Sequence, residues 1–211
     1  DTDWWGEVMD KWTPQTQHSL SVKGGSEKTQ FYLSGQILDQ DALYKGNAYG
    51  YQQFNIRSNI DTKLSKNLKL GFDLAARIGE NKRPTLDTDG LIRQIFVQRP
   101  HESPYFENDL LARTSNGNPI PLVNGESGNK DTKTHKCDSR FSLRWDLPFI
   151  TEGLYADAYA AIDFYTTTRK DLSKPFDQYE FDEATGDYNN LKFLNGNNIN
   201  LFQQYSEELN K

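Results

Sequence analysis

From Tyr51 to Ile78 the chain alternates apolar and polar positions with a period of two. Phe54, Ile56, Ile60 and Leu64 share one face with Gln52, Ser58 and Thr62, while Gln53, Asn55, Arg57, Asn59, Asp61 and Lys63 take the other. After Ser65-Lys66-Asn67 the alternation resumes, with Leu68, Leu70, Phe72, Leu74, Ala76 and Ile78 set against Lys69, Gly71, Asp73, Ala75, Arg77 and Gly79. A strand in a soluble sandwich usually has about 5–6 residues. These two continue well beyond that, and at about 3.3 Å per residue and a tilt near 45° such a length suits a hydrocarbon layer. The pattern predicts strands of a membrane barrel.

Four more strands follow from the same rule. Leu20 and Val22 alternate with Ser19, Ser21 and Lys23; Gly24-Gly25-Ser26-Glu27-Lys28 then gives a turn, and Phe31, Leu33, Gly35 and Ile37 return, so 18–38 reads as a hairpin. Phe141, Leu143, Trp145 and Leu147 oppose Asp138, Arg140, Ser142, Arg144 and Asp146. Past a turn at 148–153, Leu154, Ala156, Ala158, Ala160, Ile162 and Phe164 oppose Tyr155, Asp157, Tyr159, Asp163 and Tyr165. The expected strands are 16–24, 29–39, 50–64, 68–79, 136–147 and 154–168, paired in sequence order. The fold class is therefore all-β: an antiparallel up-and-down meander forming part of a transmembrane β-barrel, with long extracellular loops and one short loop helix. Connections at 24–28, 65–67 and 148–153 are short and those at 39–50, 79–135 and after 168 are long. In a meander each class then shares one rim, as outer-membrane barrels do.

The insertion at 79–135 is too long for a plain loop. Thr88 is placed to cap a helix through Leu91, Ile92, Ile95 and Phe96, ended by Arg99-Pro100. Asp87 and Asp89 suit a helix start. Residues 115–119 and 124–129 read as exposed turns, and Tyr179–Phe181 with Tyr188–Phe193 as a hairpin rising outside the membrane.

Composition is polar, with a mean hydropathy of -0.83 and 35% hydrophobic residues, but a barrel needs apolar side chains only at alternate positions. A transmembrane helix is excluded, because the longest apolar run, Ala158 to Ile162, falls far short of about twenty residues. Asp1 is followed by no basic and apolar leader, the pattern expected where a signal peptide is absent or removed. One cysteine, Cys137, permits no internal disulfide. A net charge of -6 disfavours nucleic acid as a partner. Aromatic content of 13% fits interfacial girdles in a barrel or sugar-stacking platforms in a soluble protein.

Catalytic chemistry finds no support. His18, His101 and His135 lack metal-ligand spacing, and Asp182, Glu183 and Asp187 lack the alternation of a calcium loop, so neither metal nor cofactor is expected. No nucleophile motif or phosphate-binding loop occurs, and the chain is read as a non-enzyme. The polar faces say more. Asn55, Arg57, Asn59, Asp61, Arg77, Arg140, Arg144, Asp157 and Asp163 share one side, facing the lumen of a barrel or solvent on a soluble sheet. Trp145, Phe149 and Phe31 lie near the short-turn ends, and Tyr51 and Phe164 near the long-loop ends, where aromatic belts are expected.

The opening resembles the start of the barrel in SusC/RagA-type TonB-dependent outer-membrane transporters. The residues that carry the likeness are Thr2-Asp3-Trp4-Trp5-Gly6-Glu7-Val8, Pro14, the hairpin His18 to Tyr32 with Leu20-Ser21-Val22-Lys23-Gly24-Gly25, then Gln40-Asp41, and the strand Tyr51-Gln52-Gln53-Phe54-Asn55-Ile56-Arg57-Ser58-Asn59-Ile60-Asp61. The similarity is specific over 2–78, diffuse over 136–168 and absent from the loops. It implies a location in the bacterial outer membrane, contact with its lipid, and import of oligosaccharides or peptides with a SusD-like surface lipoprotein. TonB would act through a plug that this chain lacks. A complete barrel of that family has about twenty-two strands, so the chain is read as a fragment covering the first barrel strands. Residues 1–15 would lead in from the plug, 16–168 would hold six strands with the insertion, and 169–211 would be extracellular loop. Arg83, His101, Tyr105 and Tyr179 in the loops are candidates to meet substrate or partner. The alternative is a soluble all-β carbohydrate-binding or adhesion module.

Overall fold

A computed structural model describes residues 1–46, 48–193 and 204–210, with Phe193 and the last segment described by backbone alone. Six long strands follow the alternating segments: β1 (Gln15–Gly25), β2 (Thr29–Asp41), β3 (Gly50–Lys63), β4 (Leu68–Arg83), β5 (Gly128–Asp146) and β6 (Tyr155–Ser173). Each pairs antiparallel with the next, in one open sheet whose outer strands are β1 and a further strand, β9 (Gln204–Asn210), beside β6. Between β6 and β9 the chain makes the expected hairpin, β7 (Phe176–Asp182) with β8 (Asp187–Phe193), as a separate two-stranded sheet. The meander is the predicted one.

Three differences have physical causes. The ladder between β5 and β6 runs from Asp146↔Tyr155 to Gly128↔Ser173, so β5 begins at 128 and the insertion is 84–127. The added residues place Lys130, Thr132 and Thr134 on one face and Asp131, Lys133 and His135 on the other, with no apolar alternation, yet their backbone groups still find partners across the ladder. The strand β9 lies in the segment read as loop, because Ser206-Glu207-Glu208 interrupts any period of two. Helix α2 (Thr88–Phe96) is capped one residue earlier than expected: the Asp87 carboxylate accepts from the Gly90 amide at 2.8 Å, leaving Thr88 as the first helical residue.

The buried core lies outside the large sheet. No apolar side chain of β1–β6 is buried; the buried apolar cluster is Trp4, Val8, Met9, Leu91, Ile95, Leu111, Ile120, Leu122 and Val123. These come from α1 (Trp4–Val8), α2, α3 (Ile120–Val123) and the loops around them, which form a cap on the rim where the long connections meet. Residues 1–15 are thus more than a lead-in. The readings of 115–119 and 124–129 as exposed turns are also corrected, since Asn118, Pro119, Ile120–Val123 and Ser127 are buried. Ile-Pro-Leu-Val fills the cap, while Asn118 supplies the polar bonds that burial requires, donating to the carbonyls of Pro104 and Ala112 at 2.9 Å each and accepting from Ile120 N at 3.0 Å.

Candidate functional site

Cross-strand partners always share a face, so the register sorts every side chain of the sheet. One face carries the rows Phe31↔Ile60, Ile60↔Phe72, Phe72↔Phe141 and Phe141↔Ala160. It is bare: Leu20, Phe31, Leu33, Ile37, Phe54, Phe141, Trp145, Ile162 and Phe164 are all exposed. Along β4 its apolar stripe runs from Leu68 to Ile78, about 33 Å of strand at 3.3 Å per residue. At a 45° tilt that is about 23 Å of height, against about 25 Å for the apolar band of an outer-membrane barrel. The stripe ends in a polar row, Asp39↔Gln52↔Glu80↔Lys133↔Thr168, in which Lys133 bridges Glu80 at 3.3 Å. Above that row β4, β5 and β6 continue as a rim. Trp145 packs against Phe149 with centroids 6.4 Å apart at the short-turn end. Tyr51 is a correction: it pairs with Asn81 on the polar face and its ring covers Gly79, so it belongs to no belt on the apolar face.

All nine polar candidates lie together on the opposite face. Asn55 sits across from Arg77, and Arg144 across from Asp157; Arg57, Asn59, Asp61, Arg140 and Asp163 follow by the same parity. The Asn59 amide donates to the Asp73 carboxylate. Arg140 stands over the Tyr159 ring at 4.8 Å and Arg144 over Tyr155 at 3.7 Å, contacts in which a guanidinium is held by the ring quadrupole. Arg144 also bonds Asp146 at 3.2 Å, and Lys136 bridges Asp138 at 3.1 Å. Gly71 has the Ser142 hydroxyl and the Asp61 carboxylate where a side chain would be, so two polar groups approach over it. The result is a charge-mosaic surface with a concavity of about 600 Å³ between Tyr32, Asn55, Arg57, Arg77 and Lys136. Asp73, Lys136, Asp138, Tyr155 and Tyr159 complete this surface; sequence reasoning missed them as site residues, although the same parity identifies them.

The loop candidates separate. Tyr105 and Tyr179 are brought into one strip, in which Tyr105 bridges Leu111 and the next residue, Ala112, bridges Tyr179. Backbone bonds from Tyr179 N to Leu111 O at 2.8 Å and from Arg113 N to Tyr179 O at 2.9 Å fasten β7 to the cap. The backbone of Tyr179 is therefore a structural tie. Burial, then the carboxylates of Glu126, Glu7 and Asp109, raise the Tyr105 phenol above its ordinary value; it stays neutral and able to donate. His101 is exposed in the turn after α2, and Arg83 ends β4 at the foot of the cap.

Tyr49 anchors the cap to the wall. It is 4% exposed, and its hydroxyl lies 3.0 Å from Leu122 O and 2.9 Å from Gly128 O, between which it shares one proton. Burial pushes its pKa up to about 12. Beside it the Thr85 and Ser127 hydroxyls pair at 3.1 Å. Among the described residues no cluster of His, Cys, Asp or Glu could hold a metal ion, and no helix is long and apolar enough to cross a membrane.

No family model and no curated protein matches the chain. Solved structures do. A chain of the RagAB peptide importer in its closed-closed state aligns with a TM-score of 0.63 and 21% identity over 83% of this chain and 20% of that chain. The open-open state gives a TM-score of 0.64 with 19% identity over 82% of this chain and 20% of that chain. A further RagAB peptide transporter structure gives 0.64 and 21% over 83% of this chain and 20% of that chain. The chain thus spans about a fifth of the length of the structures it resembles, and it shares their fold over that part. This agrees with the SusC/RagA-type resemblance of the sequence.

Proposed function

We propose that this chain is part of the wall and outer rim of an outer-membrane transporter barrel that imports nutrient oligomers, either oligosaccharides or peptides. The observation that carries this is the two-faced open sheet: a bare apolar face of membrane height on one side, and on the other a charged face studded with aromatics. In a soluble sandwich the apolar face would be the core and a second layer would cover it. Here the buried side chains sit in the rim cap instead, which favours lipid as the covering medium and the polar face as lumen. The open edges of β1 and β9 would pair with further strands of the same protein, because an unpaired ladder edge cannot persist in hydrocarbon. On this reading the long connections are extracellular, and the cap meets substrate and a SusD-like lipoprotein. TonB acts through a plug contributed by the rest of the protein. The experiment is uptake by cells expressing the intact protein, with matched deletions of the protein, its lipoprotein partner and TonB. Loss of growth on an oligosaccharide or a peptide mixture in all three deletions supports the reading; unchanged uptake in the deletion of the protein contradicts it.

A further inference from the structure

The aromatic residues of β1–β6 sort by type between the two faces. Phe31, Phe54, Phe72, Phe141, Phe164 and Trp145 lie on the apolar face, and Tyr32, Tyr51, Tyr155, Tyr159 and Tyr165 on the polar one. A ring facing hydrocarbon has no partner for a hydroxyl, which explains why tyrosine is kept off the apolar face. It does not explain why rings stand on the polar face at all. Two of them lie close together near the short-turn end: Tyr159 is 71% exposed and Tyr155 49%, with Arg140 and Arg144 over their rings. Beside them is a concavity of about 330 Å³, within the size range of ligand pockets, about 300–1,000 Å³. Its charged lining is Lys69, Arg140 and Arg144 against Asp61 and Asp157, and Asp146 bridges Lys69 at 3.7 Å and Arg144 at 3.2 Å. Cations and carboxylates therefore balance. At Gly71 the wall has no side chain, and the Ser142 hydroxyl and the Asp61 carboxylate approach over the bare position. A site neutral in sum gives a charged ligand no net attraction. What it offers is exposed ring surface, guanidinium donors and carboxylate acceptors at short spacing, which complement a ligand with an apolar C–H side and a rim of hydroxyls.

We infer that this concavity is a subsite for a neutral oligosaccharide passing through the barrel. Tyr155 and Tyr159 stack on sugar rings, Asp61 and Asp157 accept from hydroxyls, and Arg140 and Arg144 donate to them. The inference rests on the transporter reading. Among the described residues Asp61 and Asp157 form no ion pair, so their lone pairs are open to a ligand. An Arg stacked on a ring keeps the N–H donors in its own plane free. Tyr155 and Tyr159 share a face of β6, about 13 Å apart along the strand at 3.3 Å per residue. Only an oligomer touches both rings.

The test uses the intact protein purified in detergent and titrated calorimetrically with cellohexaose, maltohexaose and xylohexaose, and with hexaglycine as the peptide comparison. At least one of the sugars should bind. The double variant Tyr155→Ala, Tyr159→Ala should weaken that binding about tenfold or more, whereas Tyr155→Phe, Tyr159→Phe, which keeps the rings, should stay within about threefold of the parent. Tyr32→Ala, on the same face but outside the concavity, should change nothing. Sugar binding that survives the alanine pair overturns the inference, and so does hexaglycine binding with the same dependence on the rings. Absence of any sugar binding, the result if the plug of the intact protein seats on these tyrosines, also overturns it. Uptake in cells separates the two levels, because import indifferent to the alanine pair removes the subsite and leaves the transporter standing. Ring-dependent binding without any import does the reverse.

Discussion

The Trp4 indole Nε1 donates to the Arg99 carbonyl oxygen at 3.0 Å, joining the first turn of the chain to a residue 95 positions later, just beyond α2. Thr2 lies alongside, its amide bonding Pro100 O at 2.6 Å and its hydroxyl Glu102 O at 2.7 Å. The lead-in is therefore stapled to the insertion, and cap and wall are two packing systems on one chain.

Trp4→Ala should destabilise the cap by about 3–5 kcal/mol, the usual cost of removing a large buried aromatic. Trp4→Phe should cost less, chiefly the lost hydrogen bond and a small void. Limited proteolysis of the intact protein checks this. Cleavage within 84–127 should accelerate in Trp4→Ala, while the folded barrel persists on unheated gels.

Deleting 115–130 should open the cap, since it removes Pro119, Pro121, Leu122 and Val123 from the core together with the first rungs between β5 and β6. Removing only 183–186, the exposed turn between β7 and β8, should leave the cap protected. Hydrogen exchange of the α2 amides distinguishes the two: rapid exchange is expected in the first deletion and near-native protection in the second.

Position along the apolar stripe should set the cost of a charge. Phe72→Arg, in mid-stripe, should cost about 2–4 kcal/mol of barrel stability, and Ile78→Arg, one row below the Glu80–Lys133 bridge, about 0–1 kcal/mol. Asp73→Asn, on the other face, should change stability little apart from its bond to Asn59. Unfolding of the intact protein in lipid vesicles supplies the comparison.

Tyr49 makes cap stability fall at high pH. Its folded pKa of about 12 lies above the ordinary value of 10.0, so between those values the unfolded chain releases a proton that the folded chain keeps. Stability is full below pH 10 and declines as pH rises through that window, by about 1.4 kcal/mol for each pH step of one. Tyr49→Phe should lower stability at neutral pH and flatten the decline. Intrinsic fluorescence of the cap tryptophans followed from pH 8 to 12 reads both effects.

The wall was legible because its information is local. Alternation from Tyr51 to Ile78 assigns every residue to a face, and the register Phe72↔Phe141 follows once the two segments pair. The cap was not, because it gathers distant, non-periodic residues, Trp4, Leu91 and Val123 among them, into one buried cluster. Pro119 reads as the end of an exposed turn, and only the packing of Trp4 and Val8 with Ile120, Leu122 and Val123 makes the segment core. The polar face showed its parity in the sequence but hid its partners. Tyr155 and Tyr159 read as plain aromatics until the register set them beneath Arg144 and Arg140.

The assignment of the two faces is tested most directly by neighbouring residues of β5. In the intact protein, with Cys137 replaced by alanine, a fluorophore is attached to a single cysteine at Leu143 or at Ser142, and the protein is reconstituted with lipids bearing a quencher on the acyl chain. Leu143 lies in the apolar row with Leu70, and Ser142 in the polar row with Gly71. Strong quenching is expected at 143 and little at 142. Equal quenching at both positions, or stronger quenching at 142, would contradict it.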